Sequence, residues 1–170
     1  MERTILLVED DPDDVFFFKT ALRSAGIPNP VEVVETGPEA LRYLDGLRPH
    51  GGALPALILL DLRLPLLPGL DVLREIRGRP GLRRAIVTVL TSSSSDRDIE
   101  AAYERGANSY IVKPSTVKER LHMAELLRDY WLQLNRGPAP SLSDSVSGDR
   151  AEHRAGSSHQ NLIRVSGTAP

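Results

Sequence analysis

No cysteine occurs in the 170 residues, which excludes disulfides and thiolate metal sites and agrees with a reducing compartment. Charge of one sign is also missing. The formal net charge is −2 with a pI near 6.1, so there is no basic excess of the kind that neutralises nucleic-acid phosphates, and direct DNA binding is not expected. No apolar run approaches the length of a bilayer span, and Met1-Glu2-Arg3-Thr4 leads straight into a strand-like segment without a signal-peptide core. The expectation is a cytoplasmic protein with no membrane partner. What the chain does have is 41% hydrophobic content, enough for one globular domain.

Short apolar runs and amphipathic stretches alternate along the chain. Thr4 to Val8, Val31 to Glu35, Ala56 to Leu60, Ile86 to Leu90 and Tyr110 to Val112 read as strands. Pro12 at a first helical position with Asp11 as cap opens a helix whose inward face is Val15, Phe18, Leu22 and Ala25; Asp13 and Asp14 read there as favourable helix-start charges. Thr36-Gly37-Pro38 opens a second helix with Ala40, Leu41, Leu44 and Leu47 inward. A loop over residues 48–55 follows, in which His50 reads as solvated. The third helix buries Val72, Leu73 and Ile76, the fourth Ile99, Ala102 and Tyr103, and the last, Thr116 to Leu134, carries a stripe of Val117, Leu121, Ala124, Leu127, Trp131 and Leu134. Beyond Asn135, Gly, Pro, Ser, Asp and Arg dominate, so the expected division is a domain over 1–135 and a disordered tail over 136–170, Gln160 to Val165 being its one apolar interruption.

Strand–helix alternation with short connections is what parallel strands require, so the predicted class is α/β, a doubly wound five-stranded parallel sheet in the flavodoxin-like order 2-1-3-4-5. Ligands of such sheets bind outside the carboxyl ends of the strands. The polar residues fall there: Glu9 and Asp10 after strand one, Asp61 after strand three, Thr91 after strand four, Lys113 after strand five. Alone, Asp61 reads first as a turn residue before Pro65; the convergence of strand ends reverses that and favours a site. Clustered carboxylates repel unless a proton or cation intervenes, and Mg2+ suits Asp10, Asp61 and a backbone carbonyl of the following loop, that of Arg63. A carboxylate nucleophile (Asp61), a divalent ion, a lysine (Lys113) and a hydroxyl (Thr91) are the parts needed for aspartyl-phosphate chemistry.

These residues resemble a bacterial response regulator receiver domain. Glu9-Asp10 is similar to the family's acidic pair, Leu59-Leu60-Asp61 with Pro65 and Gly69 to its phosphoacceptor loop, Leu90-Thr91-Ser92 to its hydroxyl-bearing strand end, and Tyr110-Ile111-Val112-Lys113-Pro114 to its lysine–proline end, over about residues 4–134. The resemblance implies transfer from a sensor histidine kinase's phosphohistidine to Asp61 with Mg2+, direct metal contact by Asp10 and mainly water-mediated contact by Glu9. It further implies Lys113 pairing with the phosphoryl group, a cis Lys113–Pro114 bond, and a Thr91–Tyr110 switch that alters the helix 4/strand 5/helix 5 face for a downstream protein. It marks a phosphoacceptor signalling protein, not a turnover enzyme. The ending Leu126 to Asn135 resembles the single-domain subgroup partnered with bacterial phytochromes; its aromatics suit either a homodimer through that same face or a monomer with Trp131 in the core.

Pro68, where relatives usually carry an acid or amide, Arg63 two residues past Asp61, and the long loop before strand three depart from the family pattern. Arg63 and Ser93 occupy positions that tune phosphoryl lifetime. A haloacid dehalogenase type phosphatase has its nucleophile after the first strand, the wrong order here, and a flavodoxin-type phosphate binder is disfavoured by Glu9-Asp10-Asp11. The remaining alternative is a receiver-fold interaction module that acts without phosphorylation.

Overall fold

Runs such as Ile5-Leu6-Leu7-Val8 and Leu57-Ile58-Leu59-Leu60 are apolar at every position, so they are stable only with both sheet faces covered. The computed structural model, which describes residues 2–47 and 53–136, has that arrangement. Strands β1 (Ile5–Val8), β2 (Val31–Val34), β3 (Leu57–Leu60), β4 (Val87–Thr91) and β5 (Ser109–Val112) alternate with helices α1 (Pro12–Ser24), α2 (Gly37–Gly46), α3 (Gly69–Gly78), α4 (Asp96–Glu104) and α5 (Val117–Leu127). All pairings are parallel, in the order β2-β1-β3-β4-β5, the doubly wound sheet expected from the sequence. The expectations for His50 and for the tail beyond Arg136 lie outside the described residues. No described helix is long and apolar enough to cross a membrane.

The period-two alternation of strand side chains divides the core. Leu6, Val8, Ile58 and Leu60 pack with Leu44 of α2 and Val72, Leu73 and Ile76 of α3 on one face. Ile5, Leu7, Leu57 and Leu59 pack with Phe18 of α1 and Met123 and Leu127 of α5 on the other. Truncating Ile76, which is fully buried, to Ala is expected to cost about 2–5 kcal/mol.

Helix starts follow the sequence signals. The Asp11 carboxylate accepts from the N–H groups of Asp13 and Asp14, Thr36 caps α2, and Thr116 with Glu119 forms a capping box on α5. Pro68 opens α3 with no side-chain cap. Gly26, at φ +73, makes the left-handed turn that ends α1.

Some expectations need correction. Tyr103 is half exposed, because Ala102 is the buried residue of the short α4. Val117 and Leu134 are each 73% exposed: Val117 is the first residue of α5, and Leu134 lies in a π-helical continuation, Arg128–Leu134. There the wider turn breaks the 3.6-residue phase on which the stripe was drawn. Trp131 is half buried and packs against the α1/α5 side of the core, edge-on to exposed Tyr130. No described peptide bond is cis, so Lys113–Pro114 is trans, the isomer an X–Pro bond adopts by default.

Candidate functional site

Register brings the site together. Val8 pairs with Leu60, so Glu9 and Asp61 leave the sheet side by side; Thr91 pairs with Val112, so Lys113 emerges beside them. The ladder continues past the strand ends, with Asp61 N–H donating to Val8 O at 3.0 Å and Lys113 N–H to Thr91 O at 2.8 Å. These backbone bonds fix where the side chains begin. The Asp61 backbone is also pressed by α3: an added Cβ on Gly69 would lie 2.0 Å from Asp61 O, so only glycine lets the helix start there.

At this rim the Lys113 ammonium sits among three carboxylates. Its Nζ lies 2.6 Å from Asp61 Oδ2, 2.6 Å from Glu9 Oε2 and 2.9 Å from Asp14 Oδ2. Glu9 and Asp61 are buried. The Glu9 contact is an ion pair without hydrogen-bond alignment, which leaves Glu9 Oε2 among the buried unsatisfied atoms, while Oε1 accepts from Asp11 N–H at 3.3 Å. Asp61 Oδ1 accepts from Arg63 N–H at 3.1 Å.

Burial pushes the Glu9 carboxyl up to about 7, the Lys113 ammonium pulling the other way. For Lys113, burial alone would lower the pKa, but the close contacts with Asp61, Glu9 and Asp14 together outweigh it and raise the group above its ordinary value. The lysine stays charged.

Thr91 is fully buried, and its Oγ1 has no hydrogen-bond partner. A buried hydroxyl left unsatisfied at the mouth of a site costs free energy that a ligand oxygen would recover. Tyr110, half buried, donates its hydroxyl to Ser93 O at 3.0 Å, and Ser93 Oγ donates to Asp98 Oδ2 at 2.6 Å. Burial is the main influence raising the Tyr110 phenol.

Of the residues singled out from the sequence, Glu9, Asp61 and Lys113 meet, and the orphaned Thr91 hydroxyl ends the neighbouring strand. Asp10 is exposed rather than in contact with Lys113, and Arg63 is exposed while its N–H holds Asp61. Among the described residues no three acids or histidines stand as a ready metal cage; an ammonium holds the carboxylates together instead. Glu9, Asp10 and Asp61 offer only oxygen donors, the set a hard divalent cation takes. Sequence reasoning missed Asp14 as a partner of Lys113. Its position in the first turn of a helix that starts at the carboxyl end of β1 was the available signal.

A doubly wound parallel sheet with buried acids, a lysine and an unpartnered hydroxyl along one rim defines the class: an α/β protein with a polar site at the carboxyl ends of its strands. The chain belongs to the response regulator receiver domain family, whose model matches residues 5–125. It is 39% identical over 137 residues to the probable methanogenesis regulatory protein FilR2 of Methanothrix harundinacea, covering 81% of this chain and 88% of that protein. It is 34% identical over 138 residues to the response regulator Rcp1 of Synechocystis, covering 81% and 94%. Among solved structures, the phosphorylated cyanobacterial phytochrome response regulator RcpA superposes with a TM-score of 0.74 at 34% identity, over 82% of this chain and all of that one (100%). The Mn2+-bound form of Rcp1 superposes at 0.72, with 34% identity over 81% and 99%.

Proposed function

We propose that this chain is a phosphoacceptor of a two-component relay: Asp61 takes a phosphoryl group from a phosphohistidine of a sensor histidine kinase, and the resulting acyl phosphate changes the surface offered to a downstream protein. An Asp61 carboxylate oxygen attacks phosphorus, the P–N bond to the histidine breaks, and the imidazole nitrogen leaves with a proton from solvent. Lys113, already 2.6 Å from Asp61 Oδ2, moves its charge onto a phosphoryl oxygen. The unpartnered Thr91 hydroxyl donates to another. Asp10, Asp61 and the Arg63 carbonyl, with Glu9 mainly through water, would hold Mg2+, which would supply further neutralisation of the phosphoryl charge.

The observation that carries this reading is the meeting of Glu9, Asp61 and Lys113 at the ends of three separate strands beside an orphaned threonine hydroxyl. The relatives support it: RcpA was solved phosphorylated and Rcp1 with Mn2+. The phytochrome link of RcpA makes a light-sensing kinase the favoured donor. The chain acts in the cytoplasm as a signalling protein that assists only its own phosphorylation and dephosphorylation.

For output, Thr91 turning to the phosphoryl group leaves room that Tyr110 fills once its hydroxyl releases Ser93 O. The α4/β5/α5 face is the one altered. On its β5/α5 side a groove of about 670 Å³ is lined by Ile111, Met123, Leu127 and Trp131 together with the exposed Leu126 and Tyr130, which suits a homodimer or an apolar target.

The test is intact mass after incubation with a small acyl phosphate and Mg2+. One added phosphoryl group that is lost with chelator supports the reading. No addition, with the donor proven on another receiver, overturns it and leaves a receiver-shaped interaction module.

A further inference from the structure

One acid of the cluster has no part in the transfer just described. Asp14 lies in the first turn of α1, yet its carboxylate is spent on groups far along the chain: Oδ2 accepts from Lys113 Nζ at 2.9 Å and Oδ1 from Arg120 Nη2 at 3.4 Å. Helix-start electrostatics does not require this, since Asp11 already caps α1 and Asp13 already supplies an acid to the same turn. The Asp14 and Arg120 side chains are 21% and 14% exposed, so the pair is largely withdrawn from the water that weakens surface ion pairs.

Arg120 is itself fixed. Its Nε donates to Pro114 O at 2.8 Å, directly after Lys113, and its guanidinium lies 4.4 Å from the centre of the Phe17 ring. Asp14 is thus held by α5 in the orientation that faces Lys113. The ammonium has three N–H donors; it donates to Asp61 and Asp14, and Glu9 Oε2 lies 2.6 Å away as an ion-pair contact. With a divalent cation held by Asp10 and Asp61, repulsion drives the ammonium from Asp61, and it needs an anion nearby to remain at the rim. Asp14 lies outside the proposed ligand set and is the carboxylate left free to keep it.

We propose that Asp14 is a positioning residue for Lys113, retaining the ammonium beside Asp61 when a divalent cation takes the other carboxylates, with Arg120 holding Asp14 in turn. The proposal rests on the phosphoacceptor reading, and its test needs no phosphoryl donor.

Calorimetric titration with Mg2+ alone is the measurement. Asp14→Asn weakens binding about ten-fold, because the ammonium that Mg2+ pushes off Asp61 then lacks the carboxylate that receives it, a loss at the low end for a hydrogen bond to a charged group, while Asp14→Glu, which keeps the charge, recovers most of it. In a Lys113→Met background the Asp14→Asn effect largely disappears, because there is no ammonium left to place. Where Lys113→Met fails to fold, the side-chain Nζ resonance of Lys113 in the Mg2+-loaded protein gives the same answer: a fixed, hydrogen-bonded signal in wild type, averaged with solvent in Asp14→Asn. Wild type that binds no Mg2+ overturns the phosphoacceptor reading and this proposal together. Wild type that binds, with Asp14→Asn unchanged, overturns this proposal alone. So does a ten-fold loss that persists undiminished without Lys113, which would make Asp14 a distant charge and not a holder of the ammonium.

Discussion

Replacing Lys113 by methionine removes the only cation contacting Glu9 and Asp61 among the ion pairs of the described residues. Glu9 and Asp61 are 1% and 5% exposed, so their charges are not rescued by water. Breaking a buried ion pair from one side typically costs about 3–5 kcal/mol, and that range is expected here at pH 7.5 in chelator. Against a total stability of about 5–15 kcal/mol for a domain of this kind, it is a large loss. The loss should shrink at pH 5, where Glu9, already raised to about 7 in wild type, takes a proton and relieves the cluster. Urea unfolding followed by far-UV circular dichroism measures it, as a fall in midpoint at constant slope. Arg74→Met is the control, since Arg74 pairs with Asp71 at 3.1 Å but is 63% exposed, and less than about 1 kcal/mol is expected. A Lys113→Met midpoint that matches the Arg74→Met midpoint at pH 7.5 would refute the reasoning.

The raised Glu9 carboxyl gives wild type its own pH signature. The folded state binds this proton more tightly than the unfolded state, whose value is near 4.5. In chelator, stability is therefore fully present below 4.5 and falls by roughly 3 kcal/mol as pH rises to about 7. Glu9→Gln should flatten that fall, and parallel profiles for the two proteins would count against the assignment. Gly69→Ala places a methyl against Asp61 O and Leu62 Cα; it should cost about 1–3 kcal/mol and slow phosphorylation of Asp61, both absent if the α3 start is freely displaced. Leu66 is 83% exposed at φ 66, so Leu66→Gly should raise stability by about 0.5–1 kcal/mol, relief of left-handed strain of about 1–2 kcal/mol exceeding the entropy cost of glycine; a lower urea midpoint would contradict this.

The sheet was legible because its two central strands, β1 and β3, are apolar without interruption and are followed directly by charge. Val8-Glu9, Leu60-Asp61 and Val112-Lys113 each mark where a strand leaves the core, and once the order 2-1-3-4-5 is assumed the three ends must share a rim. Harder to see was anything that depends on side-chain reach. Asp14 has a sufficient local explanation as a helix-start acid, and nothing nearby in sequence announces Lys113 and Arg120, 99 and 106 residues away. Asp10 and Glu9 are adjacent acids, and only the alternation of the extended chain decides that Glu9 turns inward to the ammonium while Asp10 faces solvent. The far end of α5 was misjudged for a different reason: a helical stripe extrapolated through Arg128–Leu134 assumes constant pitch, and the π-helical turn there rotates Leu134 outward.

Several carboxylates crowd this rim, so the direct test of the account is which one carries the phosphoryl group. Borohydride reduction of the protein after treatment with a small acyl phosphate and Mg2+ converts an acyl phosphate to the corresponding alcohol, and peptide mass mapping locates it. The account expects the converted residue to be Asp61, with Asp61→Asn giving no converted peptide. Conversion at Glu9, Asp10 or Asp14, or an Asp61→Asn protein labelled as fully as wild type, would contradict it.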